Sequence, residues 1–417
     1  TFVITFMSFF VLVANAFAYL LTFVLYIKKI GSFNLGSFVL LFYSLLAFLA
    51  VYLFSFVDFW TFNDIQIFPF IYLYGCLMIS CRALLKFSGD KVKNMALPDE
   101  KIMNCISICI IVSHIGLLLF SILSSFSISG LFDPNQLALN YDDKLDSVGV
   151  DDKAVNIFGV LKNVFGDLLW IMIMYNWIKG NKLLIIGLLF SVVVVILDGL
   201  SGGARGSLVR IVLSVPFVYF AFAPIMNKRM KRTFITSIIV VFSLILIGFL
   251  ALTFGRFSDS SFSILDICVY YASSNFIYFN NYALDAGGIR YGDRTFPLLR
   301  SLLGFDTAGD FFDRRSMYDL ELDDSQFSFF VGDFVLDFGP FYAFLLIVVF
   351  SWCFCRSASV KKYDLGDILL FSFLFRICVN GFTLFPYAEF AGNLRILYIL
   401  FFVFVFKYFT KKRITIL

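Results

Sequence analysis

Charge is scarce in this chain. Only 15% of its 417 residues are Asp, Glu, Lys or Arg, against about a quarter in an ordinary soluble domain. That excludes a water-soluble globular protein. Histidine is scarcer still: His114 is the only one. It falls mid-span in an apolar stretch and reads as a buried structural group. The first apolar segment has neither a basic n-region nor a small-residue cleavage site, so it reads as a mature helix rather than a signal peptide. Eight cysteines are present, but seven lie in or beside apolar runs and only Cys268 falls in a loop. Cys105/Cys109 and Cys353/Cys355 are spaced like metal ligands, yet no His or further Cys joins them. They read as small hydrophobes, and no disulfide framework is expected.

What is abundant is apolar surface. Residues of hydrophobic type make up 60% of the chain, with 58 phenylalanines, and the mean hydropathy is +0.91. Runs of roughly 20 apolar residues recur, each long enough for a hydrocarbon core of about 30 Å. The fold class expected is all-α and polytopic, with about eleven transmembrane helices. They fall near 2–27, 37–57, 67–87, 102–125, 155–178, 183–200, 206–225, 234–254, 329–353, 365–385 and 394–410. The organisation is therefore 1–255 with eight spans, a large external loop over 256–328, and 329–417 with three more.

Basic residues cluster at every second connection, as in 227-NKRMKR-232 and 411-KKR-413, while the intervening loops are acidic, as in 141-YDDKLDSVGVDDK-153. The positive-inside trend then puts the N-terminus outside and the C-terminus in the cytoplasm. On that topology the cytoplasmic side holds 20 basic residues, 15 of them Lys, and the outer side holds 13, 10 of them Arg. Lysine would satisfy topology equally well. The planar five-donor fork of arginine instead suits phosphate and carboxylate.

The loop 256–328 is too aromatic for a disordered linker. Its stretch 262-FSILDICVYYASSNFIYFNNY-282 has helix-like aromatic spacing and suits an interfacial helix. Rings with neighbouring amides make Tyr270, Tyr271, Tyr278, Asn280 and Tyr291 candidate sugar-binding residues; the bland alternative is an aromatic belt with surface ion pairs such as Asp293–Arg294. Ionisable groups inside spans are costly and mark sites or structural pairs; here they are Asp167, Asp198, Arg210, Asp333, Asp337, Arg376, Glu389 and Arg395.

Three stretches give the chain a family likeness. They are 201-SGGARGSLV-209, which opens a helix after a glycine-rich turn, the aromatic loop with 291-YGDRTF-296, and 327-FSFFVGDFVLDFGPFYAF-344. Together with the span pattern these resemble the Wzy-type O-antigen polymerases, the oligosaccharide repeat-unit polymerases. Pro340-Phe341 departs from the family pattern, where a smaller residue is expected, and bears on local helix geometry. Eleven spans is also at the low end.

The resemblance implies a GT-C-type glycosyltransferase in the bacterial inner membrane, with its active site on the periplasmic face. Its substrate would be an undecaprenyl-pyrophosphate-linked oligosaccharide. The growing glycan would pass from undecaprenyl pyrophosphate to the non-reducing-end sugar of a new lipid-linked repeat unit, with neither metal nor cofactor. Expected partners are lipid-linked glycans, membrane lipids and a chain-length regulator of the Wzz type, not nucleic acid. Fixed cations would stabilise the charge growing on the pyrophosphate. Arg205 leads, because its glycine turn admits close approach and starts a helix with free amides; Arg210, Arg376, Arg290 and Arg294 follow. A general base would be a carboxylate, with Asp333, Asp337 and Glu389 as candidates. The adjacent acids Asp142-Asp143, Asp151-Asp152 and Asp323-Asp324 read as solvated surface.

Two other readings stay open. An O-antigen ligase shares this topology, but there a loop histidine carries function, and this loop has none. A transporter or flippase of lipid-linked glycans would favour internal repeats and paired broken helices, which the sequence does not display.

Overall fold

In a computed structural model, the structure describes residues 2–57, 64–93, 95–119, 153–201, 205–256, 263–284, 288–308, 311–320 and 328–414. The acidic segment 141–152, the turn residues 202–204 and the acidic pair at 323–324 lie outside the described residues. Among the described residues the regular structure is helical, with one isolated β-bridge, Ala96 to Asp364, and no sheet. The helices are α1 (Phe2–Ile30), α2 (Leu35–Phe56), α3 (Ile67–Leu85), α4 (Glu100–Leu117), α5 (Lys153–Lys179), α6 (Lys182–Ser201) and α7 (Arg205–Phe222). They continue with α8 (Lys228–Arg256), α9 (Ile264–Tyr278), α10 (Pro297–Leu302), α11 (Phe311–Met317), α12 (Phe329–Ala358), α13 (Leu365–Val379) and α14 (Glu389–Ile414).

The chain is a multi-pass membrane protein. Among the described residues, ten helices are long and apolar enough to cross a bilayer: α1 to α6, α8, α12, α13 and α14. The eleventh span expected, 206–225, is helical as α7, 18 residues with Pro216 inside; its described apolar stretch, Leu208–Phe222, is shorter than those ten helices.

The chain divides into two compact units. Unit 1 comprises Thr1–Phe87, Leu265–Lys361 and Phe371–Leu397; unit 2 comprises Ser88–Ile264, Lys362–Leu370 and Tyr398–Leu417.

In unit 1, α1 packs along α2 and α3 packs along α12. With little polar surface to work with, the interior is joined by aromatic rings and a few hydroxyls. Tyr19, Tyr43, Phe276 and Phe329 are fully buried. Tyr43 donates to the Cys378 carbonyl at 2.7 Å, and Ser351 donates to that of Ile79 at 2.6 Å. The aromatic segment read as a helix is one: α9 ends in a π-helical turn, Phe279–Ala283.

The departure at Pro340 has a structural counterpart. Gly339 takes φ 72° and ψ 162°, so α12 is two helices joined at a kink. Proline cannot donate a backbone hydrogen bond and forces the preceding residue away from helical geometry; only glycine is at ease with such angles. The buried piece 329–338 is thereby separated from the long piece 340–358.

In unit 2, α4, α5 and α6 pack against one another, followed by α7 and α8. Asn176 crosses from α5 to Ser107 on α4 at 2.9 Å. Asp364 and Asp367 start α13 reciprocally: each side chain accepts the other's backbone N–H, at 2.8 and 3.1 Å. This is the logic of a capping box, with Lys407 Nζ 2.6 Å from Asp367.

Candidate functional site

The site lies in unit 1, where the turn at 291–295 meets the buried piece of α12 and the start of α14. Asp333 and Asp337 are four residues apart, so helical geometry puts both on one face. Both are buried. Between them lies Arg290, the largest fully buried side chain among the described residues. Its Nε is 2.6 Å from Asp337 Oδ1, while one terminal nitrogen is 3.1 Å from the Asp333 carbonyl and 3.4 Å from its Oδ1. Arg294 Nε also reaches Asp333, at 3.3 Å.

Backbone amides use the remaining carboxylate oxygens. Thr295 N–H donates to Asp337 Oδ2 and Phe385 N–H to Asp333 Oδ2, each at 2.7 Å. Asn393 on α14 fastens the same turn, donating to the Thr295 carbonyl at 2.8 Å and accepting from Leu298 N–H at 3.2 Å. Buried charges persist only when paired and hydrogen-bonded, and here both conditions are met.

A second set continues outward. Asp293 accepts from Arg314 Nε at 2.8 Å and lies 3.7 Å from Arg300 Nε. Arg314 also reaches both oxygens of Glu389 at 3.2 Å. Burial works against the Arg314 charge, but Glu389 and Asp293 hold its pKa above the ordinary arginine value. Tyr318 nearby is pushed up, first by burial and then by Asp293. Arg300 donates to the carbonyls of Tyr291 and Asp306 at 2.9 and 2.8 Å, between the rings of Phe305 and Tyr318.

These groups alternate in sign. Arg290, Arg294, Arg300 and Arg314 are interleaved with Asp293, Asp333, Asp337 and Glu389. The network has an open edge at Glu389, whose side chain is 53% exposed, against 0% and 1% for Asp293 and Asp333. Glu389 is held at positive φ, 64°, and its N–H donates to the Arg294 carbonyl at 2.9 Å. A non-glycine residue in that region is strained, and such strain clusters at functional sites.

Beside the network lies a groove of about 640 Å3, lined by Tyr291, Phe296, Leu299, Leu303, Phe305 and Phe338, with Arg300 as its charged member. Leu299, Leu303 and Phe305 are each more than half exposed.

Five sequence candidates therefore meet here: Arg290, Arg294, Asp333, Asp337 and Glu389. Arg290 is sealed inside, so its guanidinium contacts protein carboxylates. Tyr291 stands exposed on the turn. Tyr278 is buried, its hydroxyl bonded to that of Tyr270. Tyr271, half-buried, packs edge-on to Tyr270. Asn280 accepts from Gln66 N–H at 2.8 Å and donates to the Asp64 carbonyl at 3.2 Å. Arg376 sits half-buried on α13. Arg205 and Arg210 belong to α7 in unit 2: Arg205 begins that helix, with its side chain outside the described residues, and Arg210 is exposed. Asp198, also in unit 2, pairs with Lys162 at 2.5 Å.

Asp293, Arg300 and Arg314 carry the network outward, and sequence reasoning gave them no role there. The usable signal was the i,i+4 pair Asp333/Asp337 in an apolar helix, which demands cations from another part of the chain.

A membrane-embedded helical protein with a buried arginine–carboxylate network opening beside an apolar groove is the class that fold and site define. No protein-family model matches the chain, and no curated protein or solved structure does.

Proposed function

We propose that this protein is a glycosyltransferase of the bacterial cytoplasmic membrane that polymerises lipid-linked oligosaccharide repeat units at the external face. The observation that carries the reading is the junction of two features. A fixed network of arginines and carboxylates has its open edge at Glu389, and the groove lined by Leu299, Leu303 and Phe305 lies against it at Arg300. A lipid-linked sugar diphosphate has the matching parts: a long apolar tail, an anion and a polar glycan.

In the transfer, the bond from the anomeric carbon to the pyrophosphate oxygen breaks, and the acceptor hydroxyl oxygen bonds to that carbon. The hydroxyl proton passes to Glu389, which Arg314 holds in place. Arg294 and Arg300, at the edge of the network, meet the charge developing on the leaving pyrophosphate, where preorganised cations favour the transition state over the ground state. Arg290, Asp333 and Asp337 position the turn. Tyr291 is the exposed ring beside the groove and offers a stacking face to a sugar. The lack of a histidine in 256–328 favours polymerase over ligase.

The test is direct. Purified protein in lipid is given a defined undecaprenyl-pyrophosphate repeat unit, with and without a chelator. A ladder of lengthening products supports the reading, and Arg205→Ala tests the residue that the resemblance ranks first. Absence of any lengthened product from folded protein contradicts the reading.

A further inference from the structure

The interior of unit 2 holds a polar group that the proposed reaction does not use. His114, on α4, is completely buried and is the chain's only histidine. Its Nδ1 stands 2.8 Å from the Ile110 carbonyl oxygen. A carbonyl only accepts, so in the neutral ring Nδ1 carries the proton and Nε2 keeps the lone pair. Among the described residues Nε2 has no hydrogen-bond partner. It is a bare proton acceptor inside a membrane-length helix.

The helices packed on α4 bring charge to it. α5 carries Lys162, near the start of its membrane-length stretch, and the buried Asp167, and α6 carries Asp198, near the end of its own. Lys162 Nζ and the Asp198 carboxylate are 2.5 Å apart, with side chains 22% and 17% exposed. The end of α4 that carries His114 packs against the parts of α5 and α6 that carry this pair: Leu117 and Val194 form a buried cluster with Phe158, one turn before Lys162, and Leu197, next to Asp198. Ionisable groups inside spans are costly and by default mark a site, and these three come from three mutually packed helices.

We propose that His114 is a proton-binding site of unit 2, its Nε2 taking up one proton under the control of the Lys162–Asp198 pair. Uptake turns a neutral imidazole into a cation and changes no other bond. The Lys162 charge opposes that cation and the Asp198 charge favours it. Water screens such terms poorly at a buried site. The site is independent of the network in unit 1 and stands or falls apart from the proposed glycosyl transfer.

Having one histidine makes the test clean. The protein is labelled with 15N-histidine, given a tag without histidine, placed in lipid nanodiscs and titrated by NMR. The ring is expected to be neutral with its proton on Nδ1 near about pH 9, and to become imidazolium as the pH falls towards about 5. Asp198→Asn weakens proton binding and Lys162→Met strengthens it, each about tenfold, which is about one pH unit in midpoint. The wild-type titration needs no variant to fold. A ring that stays neutral throughout, or that carries its neutral-state proton on Nε2, overturns the proposal. So does a midpoint that both substitutions leave in place.

Discussion

Arg290 Nε and Asp337 Oδ1 are 2.6 Å apart, and neither side chain is exposed to any degree. This pair, with Asp333 on the other side of the same guanidinium, locks the turn at 291–295 to the buried half of α12. Removing one partner of such a pair strands the other charge, at a cost of about 3–5 kcal/mol. Arg290→Met is therefore expected to lose about that much stability in chemical unfolding followed in detergent. Arg290→Lys is expected to recover little, because an ammonium cannot reproduce the two-sided fork. Arg290→Met combined with Asp337→Leu should recover much of the loss. A single variant as stable as wild type would show that the pair does not hold the turn.

The kink at Gly339 makes a backbone prediction. Its φ of 72° and ψ of 162° lie where only glycine is comfortable, and any other residue costs about 1–3 kcal/mol there. An added Cβ would meet only Ile289 Cδ1, at an ordinary 3.5 Å, so the penalty is conformational rather than steric. Gly339→Ala should lower thermal stability by that amount, and an unchanged melting temperature would mean that the kink is not held as described.

Filling the groove should separate lipid binding from folding. Leu303 is 65% exposed and lines the groove, so Leu303→Trp should fold normally. If the groove takes the lipid tail, the variant raises KM for the lipid-linked substrate several-fold with little change in kcat. A kcat loss at constant KM would contradict that placement.

Asp364 gives a pH signature. Burial, then Asp367, pushes its pKa up in the folded protein. A raised carboxyl pKa favours the protonated form, so its stabilising contribution is complete below the unfolded value and is lost as pH rises through the folded one. Asp364→Asn keeps the oxygen that accepts from Asp367 N–H and removes the charge. The variant should be at least as stable as wild type near pH 7, and the difference should vanish below about pH 4. A wild type that outlasts the variant at neutral pH would contradict this assignment.

Most of the fold was legible in the sequence because a bilayer admits few solutions. Every long apolar run had to be a helix, and among the described residues each is, ten of them at membrane-spanning length. The run at 206–225 is helical too, as α7, but ends at Phe222 rather than Ile225. The site was legible in its membership more than in its pairing. Asp333, Asp337, Arg290 and Arg294 stood out as costly charges, but their partners lie about 40 positions away along the chain. Residue type gives no hint of such a distance. Nor could the sequence tell that Glu389 is the carboxylate left open while Asp333 and Asp337 are sealed, since all three precede or enter apolar helices. Lys162 as the partner of Asp198 was likewise hidden, 36 residues away.

The central claim is that the open edge of the network performs the transfer, and Glu389 tests it most directly. Its side chain is half exposed, so Glu389→Gln should fold like wild type while losing the proton acceptor. The measurement is the initial rate of product lengthening on a defined lipid-linked repeat unit, wild type against Glu389→Gln, at saturating substrate. The account predicts a fall of about 10²–10⁴-fold, the usual contribution of a positioned general base, with KM nearly unchanged. A folded Glu389→Gln protein that lengthens glycans at the wild-type rate would contradict it.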